Sequence, residues 1–249
     1  MKIKQHERIS EWVKSYAKEN KIKSLVVGVS GGIDSAVVST LCAMTGLPTH
    51  CVLMPIHQNP EHTKRGSNHI NWLQTKFEKI DLHEFNLSGV YDIFVDTMSY
   101  AKSDLGFANS RSRLRMTALY QIASSTNGIV VGTGNKIEDF GVGFFTKYGD
   151  GGVDISPIAD FTKTEVYEIA KHLGINQEII DATPTDGLWG DDRNDENQIG
   201  ATYPELEWAM EFKNNRNITE REQEVLSIYK KLNSQNKHKM LPIPIYKKS

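Results

Sequence analysis

Leu25-Val26-Val27-Gly28-Val29-Ser30-Gly31-Gly32-Ile33-Asp34-Ser35 is the stretch that decides the fold. The β-branched run 25–29 reads as a buried strand. Ser30-Gly31-Gly32 reads as a turn, and residues 34–44 as a helix ending at Gly46. A strand that hands over directly to a helix aims backbone N–H groups and a helix dipole at one spot, which favours an anion. Gly31 and Gly32 remove the side chains that would hold a phosphate off the backbone, and Ser30 and Ser35 can donate hydroxyls. Asp34, not a lysine, precedes Ser35, so the loop is not a Walker A loop, and the G-x-G-x-x-G spacing does not fit either. An acid beside a phosphate repels it unless a cation intervenes, so Asp34 implies Mg²⁺ bridging to phosphate oxygens.

Outward from this loop, apolar spacing alternates between the strand and helix periods. Ile9, Trp12, Val13, Tyr16 and Ala17 predict an amphipathic helix over residues 5–19. Further strands are predicted at 50–56, near 77–82, at 128–132 and, as a short fifth, at 153–158. Helices are predicted through Ile70, Leu73 and Phe77, over 87–100 and over 108–126. The last carries two apolar lines, Leu114-Ala118-Ile122 and Met116-Leu119-Ala123, as either a central helix or a subunit interface would. Residues 141–152, with five glycines in twelve, predict a loop. Thr162-Lys163-Thr164-Glu165 fits a capping box for a helix that stops at Gly174. Residues 183–200, with Asp186, Asp191, Asp192, Asp195 and Glu196, read as a mobile acidic segment, expected to act as a lid ordered by ATP. Two more helices are predicted over 204–212 and 219–233, then a basic, proline-broken tail over 237–249. The alternation predicts an α/β fold: a doubly wound, mostly parallel five-stranded sheet flanked by helices. No repeat or linker interrupts it, so a single domain over residues 1–249 is expected.

Composition excludes several classes. The 249 residues are 39% hydrophobic with 19 glycines, in the range of globular domains. The net charge of −2 advertises no nucleic-acid surface. Cys42 and Cys51 both lie in apolar runs; two cysteines exclude a disulfide framework and a four-cysteine zinc site, and fit a reducing cytoplasm. Residues 1–18 lack the apolar core of a signal peptide. The most apolar region, 24–44, is interrupted by Gly31, Gly32 and Asp34, so no membrane span is expected.

Ser30-Gly31-Gly32-Ile33-Asp34-Ser35 resembles the signature of the ATP pyrophosphatase (PP-loop) superfamily, whose fold is adenine nucleotide alpha hydrolase-like. Its members adenylate an oxygen with ATP, release pyrophosphate, and let a nitrogen or sulfur nucleophile displace AMP. Gly132-Thr133-Gly134-Asn135-Lys136-Ile137-Glu138, then the run from Gly143 to Asp154 containing Phe145-Thr146-Lys147-Tyr148-Gly149-Asp150-Gly151, then Pro157 and Thr162-Lys163, are similar in order and spacing to the NAD synthetase family. Thr183-Pro184-Thr185-Asp186, Asp195-Glu196, Gly200 and His238-Lys239 match it as well.

The resemblance implies roles. Gly28, Val29, Ser30, Gly31, Gly32, Ile33, Asp34 and Ser35 would bind ATP, together with Thr133, Lys163 and Thr185. Asp34 and Glu138 would hold Mg²⁺, although spacing alone does not choose between Glu138 and the adjacent Asp139. Arg113, Lys147, Asp154, His238 and Lys239 would contact deamido-NAD⁺; Arg111 and Arg115 are rivals of Arg113 on the same helix. The nicotinate carboxylate would attack the α-phosphorus, and ammonia would then attack the acyl adenylate. Ammonium must lose a proton first, and Asp150 is the candidate base, beside Lys163 as the other catalytic residue. The family forms dimers, so a homodimer is implied. Glutamine-dependent relatives carry an extra domain with a nucleophilic cysteine. No stretch is left for one here, so free ammonia is the expected nitrogen donor. Two other functions remain open on the same loop: a tRNA-modifying adenylase, against which the charge balance and the lack of zinc or relay cysteines speak, and a nucleotide sensor without turnover, against which the intact acids at Asp34 and Glu138 speak.

Overall fold

The protein is described by a computed structural model covering residues 4–98, 100–101, 103–185, 187–189, 194–213 and 217–248. Asp186, Asp191 and Asp192 of the acidic segment lie outside the described residues. Helix α1 (Gln5–Glu19) leads into β1 (Ser24–Gly28), α2 (Ile33–Met44), β2 (Thr49–Leu53), α3 (Pro60–Lys76), β3 (Ile80–Glu84), α4 (Ser88–Thr97), α5 (Asp104–Thr126) and β4 (Gly128–Val130). A π-helix (Ile137–Val142) follows, then α6 (Lys163–Leu173), α7 (Gln177–Ile180), α8 (Asp195–Ile199), α9 (Tyr203–Glu211) and α10 (Glu220–Met240).

The strands form a parallel sheet in the order β3-β2-β1-β4, with Val27 opposite Cys51, Val26 opposite Val130 and Cys51 opposite Leu82. β1, β2 and β3 step outward in one direction, and β4 joins on the other side of β1. The C-terminal ends of β1 and β4 therefore flank a topological switch point, where α/β sheets open a crevice. On one face, Leu25, Val27, Ile129 and Val131 pack against α1, α2 and α6. α2 is buried nearly all round, and Ala36, Val37, Val38, Leu41 and Cys42 are fully buried. α3 covers the outer part of that face through Ile70 and Leu73. On the other face, Val26, Val52 and Val130 meet Ala118, Leu119, Ile122 and Ala123 of α5. The sheet is thus covered on both sides, as expected.

The predicted fifth strand is a difference. Residues 153–158 contribute a single parallel bridge, Val131 to Ile155, beyond the four-stranded sheet. Gly132 donates to Ile155 and Asp154 to Val130, but Pro157 has no N–H to extend the ladder, and the chain turns through Ser156–Ala159 and Ile158–Phe161 bonds. Other elements shift at their ends. β3 starts at Ile80 because Phe77 still closes α3 with a bond to Leu73. α5 begins at Asp104, capped by Ser103. The predicted loop 141–152 begins inside the π-helix. α10 runs to Met240, so His238 and Lys239 sit in the last turn of a helix and not in a tail. Cationic side chains at that end suit the helix dipole. Of α5, only Ala108, Ser112 and Ala123 are buried, so Leu114 and Met116 remain part-exposed.

Candidate active site

The loop after β1 is held in shape from within. The Ser35 hydroxyl donates to Gly32 O at 2.9 Å and accepts from Ser30 N at 3.2 Å, while Gly32 N donates to the Ser30 hydroxyl at 3.2 Å. Gly31 adopts φ +85°, and a β-carbon there would sit 2.5 Å from His62 O, so the first turns of α3 press directly on the loop. Arg65 Nε donates to Gly31 O at 2.8 Å from the same helix.

Three charged side chains converge beside the loop. Asp34 stands in the first turn of α2 and Lys163 opens α6. The expected capping box is present: Glu165 N bonds to Thr162 Oγ1 and Thr162 N to Glu165 Oε2 at 2.8 Å. Lys163 Nζ donates to Asp34 Oδ2 at 2.6 Å and to Glu138 Oε1 at 3.0 Å, and its side chain is only 4% exposed. Burial lowers the Lys163 pKa, but the two carboxylates more than reverse this and hold it above the usual lysine range. Burial raises Glu138, yet Lys163 and a hydrogen bond from Tyr203 outweigh it and leave Glu138 below an ordinary glutamate. At Asp34 burial prevails and the pKa lies above the ordinary value.

The π-helix aims Glu138. Buried Asn135 accepts from Ile137 N and Glu138 N, each at 3.1 Å, and donates to Asp34 Oδ1 at 3.1 Å. Tyr203, from α9, donates its hydroxyl to Glu138 Oε1 at 2.6 Å. Spacing left Glu138 and Asp139 unresolved; the structure puts Glu138 on Lys163 and packs the Asp139 carboxylate over Gly134, where any β-carbon would collide with it. The Asp139 pKa is pushed up to about 8, by burial first and then by Glu138, Asp150 and Asp34.

Asp34, Glu138, Asp139 and Lys163 line a crevice of about 270 Å³ that also includes Thr133, Thr185 and Asp150. Thr185 Oγ1 accepts from Gly187 N at 3.3 Å. Asp150 opens onto the crevice; its Oδ1 accepts from the Ser112 hydroxyl at 2.7 Å and from Thr146 N at 3.0 Å. Surrounding protein raises its pKa, with those two bonds opposing. The donor set between Asp34 and Glu138 is oxygen only, and a positive charge already sits between them, so it fits a hard divalent cation. Among the described residues no three or more His, Cys, Asp or Glu side chains gather around one point, which leaves the remaining ligand positions to water or phosphate oxygens.

The residues expected on the second substrate lie elsewhere. Arg113 is exposed and donates to Lys147 O at 3.3 Å; Lys147 Nζ reaches His238 O at 2.9 Å, and Lys239 Nζ reaches Phe145 O at 2.7 Å. These four gather around segment 145–150. Asp154 stands apart, bonded to Tyr120 and to Val130 N. Of the three arginines, Arg115 lines the crevice, bonded to Met54 O at 3.0 Å and Gln58 at 2.6 Å, whereas Arg111 stacks on Tyr91 and donates to Leu188 O. Asn135, Tyr203, Ser112 and Arg65 were not predicted as site residues. Only Asn135 carried a local signal, an amide three residues ahead of the glutamate inside an already quoted cluster.

A family model described as NAD synthase matches residues 5–243. An NH(3)-dependent NAD(+) synthetase of Carboxydothermus hydrogenoformans is 39% identical over 207 residues, 81% of this chain and 82% of that protein. One of Alkaliphilus metalliredigens is 36% identical over 245 residues, 96% of each chain. The solved NMN synthetase of Francisella tularensis superposes with a TM-score of 0.87 at 28% identity, covering 97% of this chain and 96% of the other.

Proposed function

The chain belongs to the NAD synthase family, and from that premise we propose how its own residues carry out the reaction. The reaction is the ATP-dependent amidation of deamido-NAD by ammonia to give NAD⁺, the last step of NAD biosynthesis. The observation that carries the assignment of residues is the meeting of Asp34, Glu138 and Lys163 beside the glycine loop.

Residues 28–35, with Thr133 and Thr185, seat ATP so that its α-phosphorus faces the incoming nicotinate carboxylate. Pyrophosphate leaves and an acyl adenylate forms. Lys163 meets the phosphate oxygens as charge builds on the leaving group. Asp34 and Glu138 would hold Mg²⁺, which when bound neutralises triphosphate charge. Asn135 and Tyr203 keep both carboxylates aimed. Ammonia then attacks the acyl carbon and AMP departs. Asp150, kept basic by its surroundings and oriented by Ser112 and Thr146, takes the proton that ammonium must lose.

Arg113, Lys147, His238 and Lys239 bind the dinucleotide, with Asp154 contacting it beside Tyr120 of α5. Their place outside the crevice supports a dinucleotide lying across a subunit boundary. Exposed Phe85, Val90, Ile93 and Leu105 around α4 and α5 support a homodimer through that face. The protein works as one catalytic domain in the cytoplasm, with ammonia supplied free. The test is NAD⁺ formation with pyrophosphate release by purified protein, expected only when ATP, deamido-NAD, ammonium and Mg²⁺ are all present. No NAD⁺ from the complete mixture overturns it. Nicotinate mononucleotide belongs in a parallel assay, because the solved neighbour is an NMN synthetase.

A further inference from the structure

We propose that Arg65 is a catalytic residue of the reaction, its guanidinium forking onto the β- and γ-phosphates of ATP and onto the departing pyrophosphate. The inference rests on the proposed ATP chemistry of the crevice. Five acids line that crevice: Asp34, Glu138, Asp139, Asp150 and Asp195. A triphosphate brings more negative charge, so cations must meet it. Lys163, which meets the phosphates in the proposed reaction, also has two of the five acids, Asp34 and Glu138, to offset. Arg115 commits Nε to Met54 O and Nη2 to Gln58. The hydroxyls of Ser30 and Ser35 are used within the loop. Arg65 differs from all of these. Its Nε holds Gly31 O at 2.8 Å, and its terminal nitrogens bond to no described residue.

Its placement is built. Asn59 caps α3 by accepting from Glu61 N at 3.0 Å, and α3 abuts the loop where Gly31 leaves no room for a β-carbon. The Nε bond fixes the plane of the guanidinium at the carbonyl edge of the phosphate loop, and the half-buried side chain lines the crevice. A planar fork with one edge anchored and the other open matches bidentate phosphate recognition. Lysine at this position would keep charge but lose the fork.

The experiment measures KM for ATP and product inhibition by pyrophosphate and by AMP in wild type, Arg65→Gln and Arg65→Lys. Arg65→Gln is expected to raise KM for ATP and Ki for pyrophosphate about tenfold or more. Ki for AMP is expected to stay within about twofold. Arg65→Lys should fall between. Unchanged pyrophosphate inhibition, or equal weakening of AMP and pyrophosphate, overturns the proposal, because a residue that merely shapes the loop would disturb both products. If Arg65→Gln does not fold, phenylglyoxal modification of the wild-type protein decides. Pyrophosphate but not AMP should shield Arg65, and equal modification with and without pyrophosphate counts against it. Wild type that makes NAD⁺ while Arg65 proves indifferent overturns this inference alone; wild type that makes none overturns the proposed function itself.

Discussion

Lys163 Nζ lies 2.6 Å from Asp34 Oδ2 and 3.0 Å from Glu138 Oε1, so the lysine sits between two carboxylates. The chain carries its own counter-ion at that point.

Lys163→Met should therefore leave two buried carboxylates facing each other, at a cost of about 3 kcal/mol. Divalent cation should restore the loss. Thermal unfolding with and without Mn²⁺ checks this: the variant is expected to gain far more from the ion than wild type does, and to lose turnover. A variant indifferent to Mn²⁺ would remove Asp34 and Glu138 from the metal site.

Glu138 and Asp139 are adjacent but differently placed. Glu138→Gln is expected to lower kcat about a hundredfold or more, because it breaks the group aimed by Asn135 and Tyr203. Asp139→Asn should cost less than about tenfold. Asp34→Ala should abolish activity with the fold retained. Near-normal turnover in Asp34→Ala, with circular dichroism unchanged, contradicts the assignment.

Arg113 and Arg115 are expected to separate the two substrates. Arg113→Gln should raise KM for deamido-NAD about tenfold and leave KM for ATP unmoved. Arg115, bonded to Met54 and Gln58 in the crevice, should do the reverse. Steady-state kinetics with each substrate varied in turn reads this out, and matching effects in the two variants would refute it.

His69 is expected to set part of the acid limit of stability. It is fully buried on α3, with Nε2 2.9 Å from Ser39 Oγ, Nδ1 without a partner among the described residues, and Trp72 stacked alongside. Burial pushes its pKa down to about 4. The folded protein thus holds His69 neutral while the unfolded chain protonates it near 6.5. Its contribution is intact above pH 6.5 and is lost as pH falls toward 4, by about 3 kcal/mol in all. Urea unfolding at a series of pH values should show a shallower acid loss in His69→Gln than in wild type. His6 and His50, also lowered by burial, keep some slope in the variant. Parallel curves would acquit His69.

The loop, the capping box at Thr162 and the order of strands and helices were legible because each is a local pattern. α10 outran its prediction because its final turns, through Ser234, Gln235, Asn236 and Lys237, have no apolar period. They are tethered instead by Asn233 and Asn236 to the carbonyls of Gly141 and Val142. Pro157 was visible, but its power to stop the fifth strand depends on which neighbour the strand meets. Tyr203 and Ser112 were illegible because a hydroxyl acquires its role from a carboxylate 65 or 38 residues away. The arginines at 111, 113 and 115 were seen as a set, and only the sheet's position relative to α5 sorts them.

The strand order has a further consequence for how the protein comes into being. The parallel sheet of β1, β2 and β3 is complete by Glu84, yet Asp34 waits for Asn135 across 101 residues and for Lys163 across 129. Contacts of such sequence separation close late, since long loops must be ordered before they are rewarded. Catalytic competence is then the last property to appear. A chain refolding from denaturant should recover its far-ultraviolet signal well before it makes its first molecule of product.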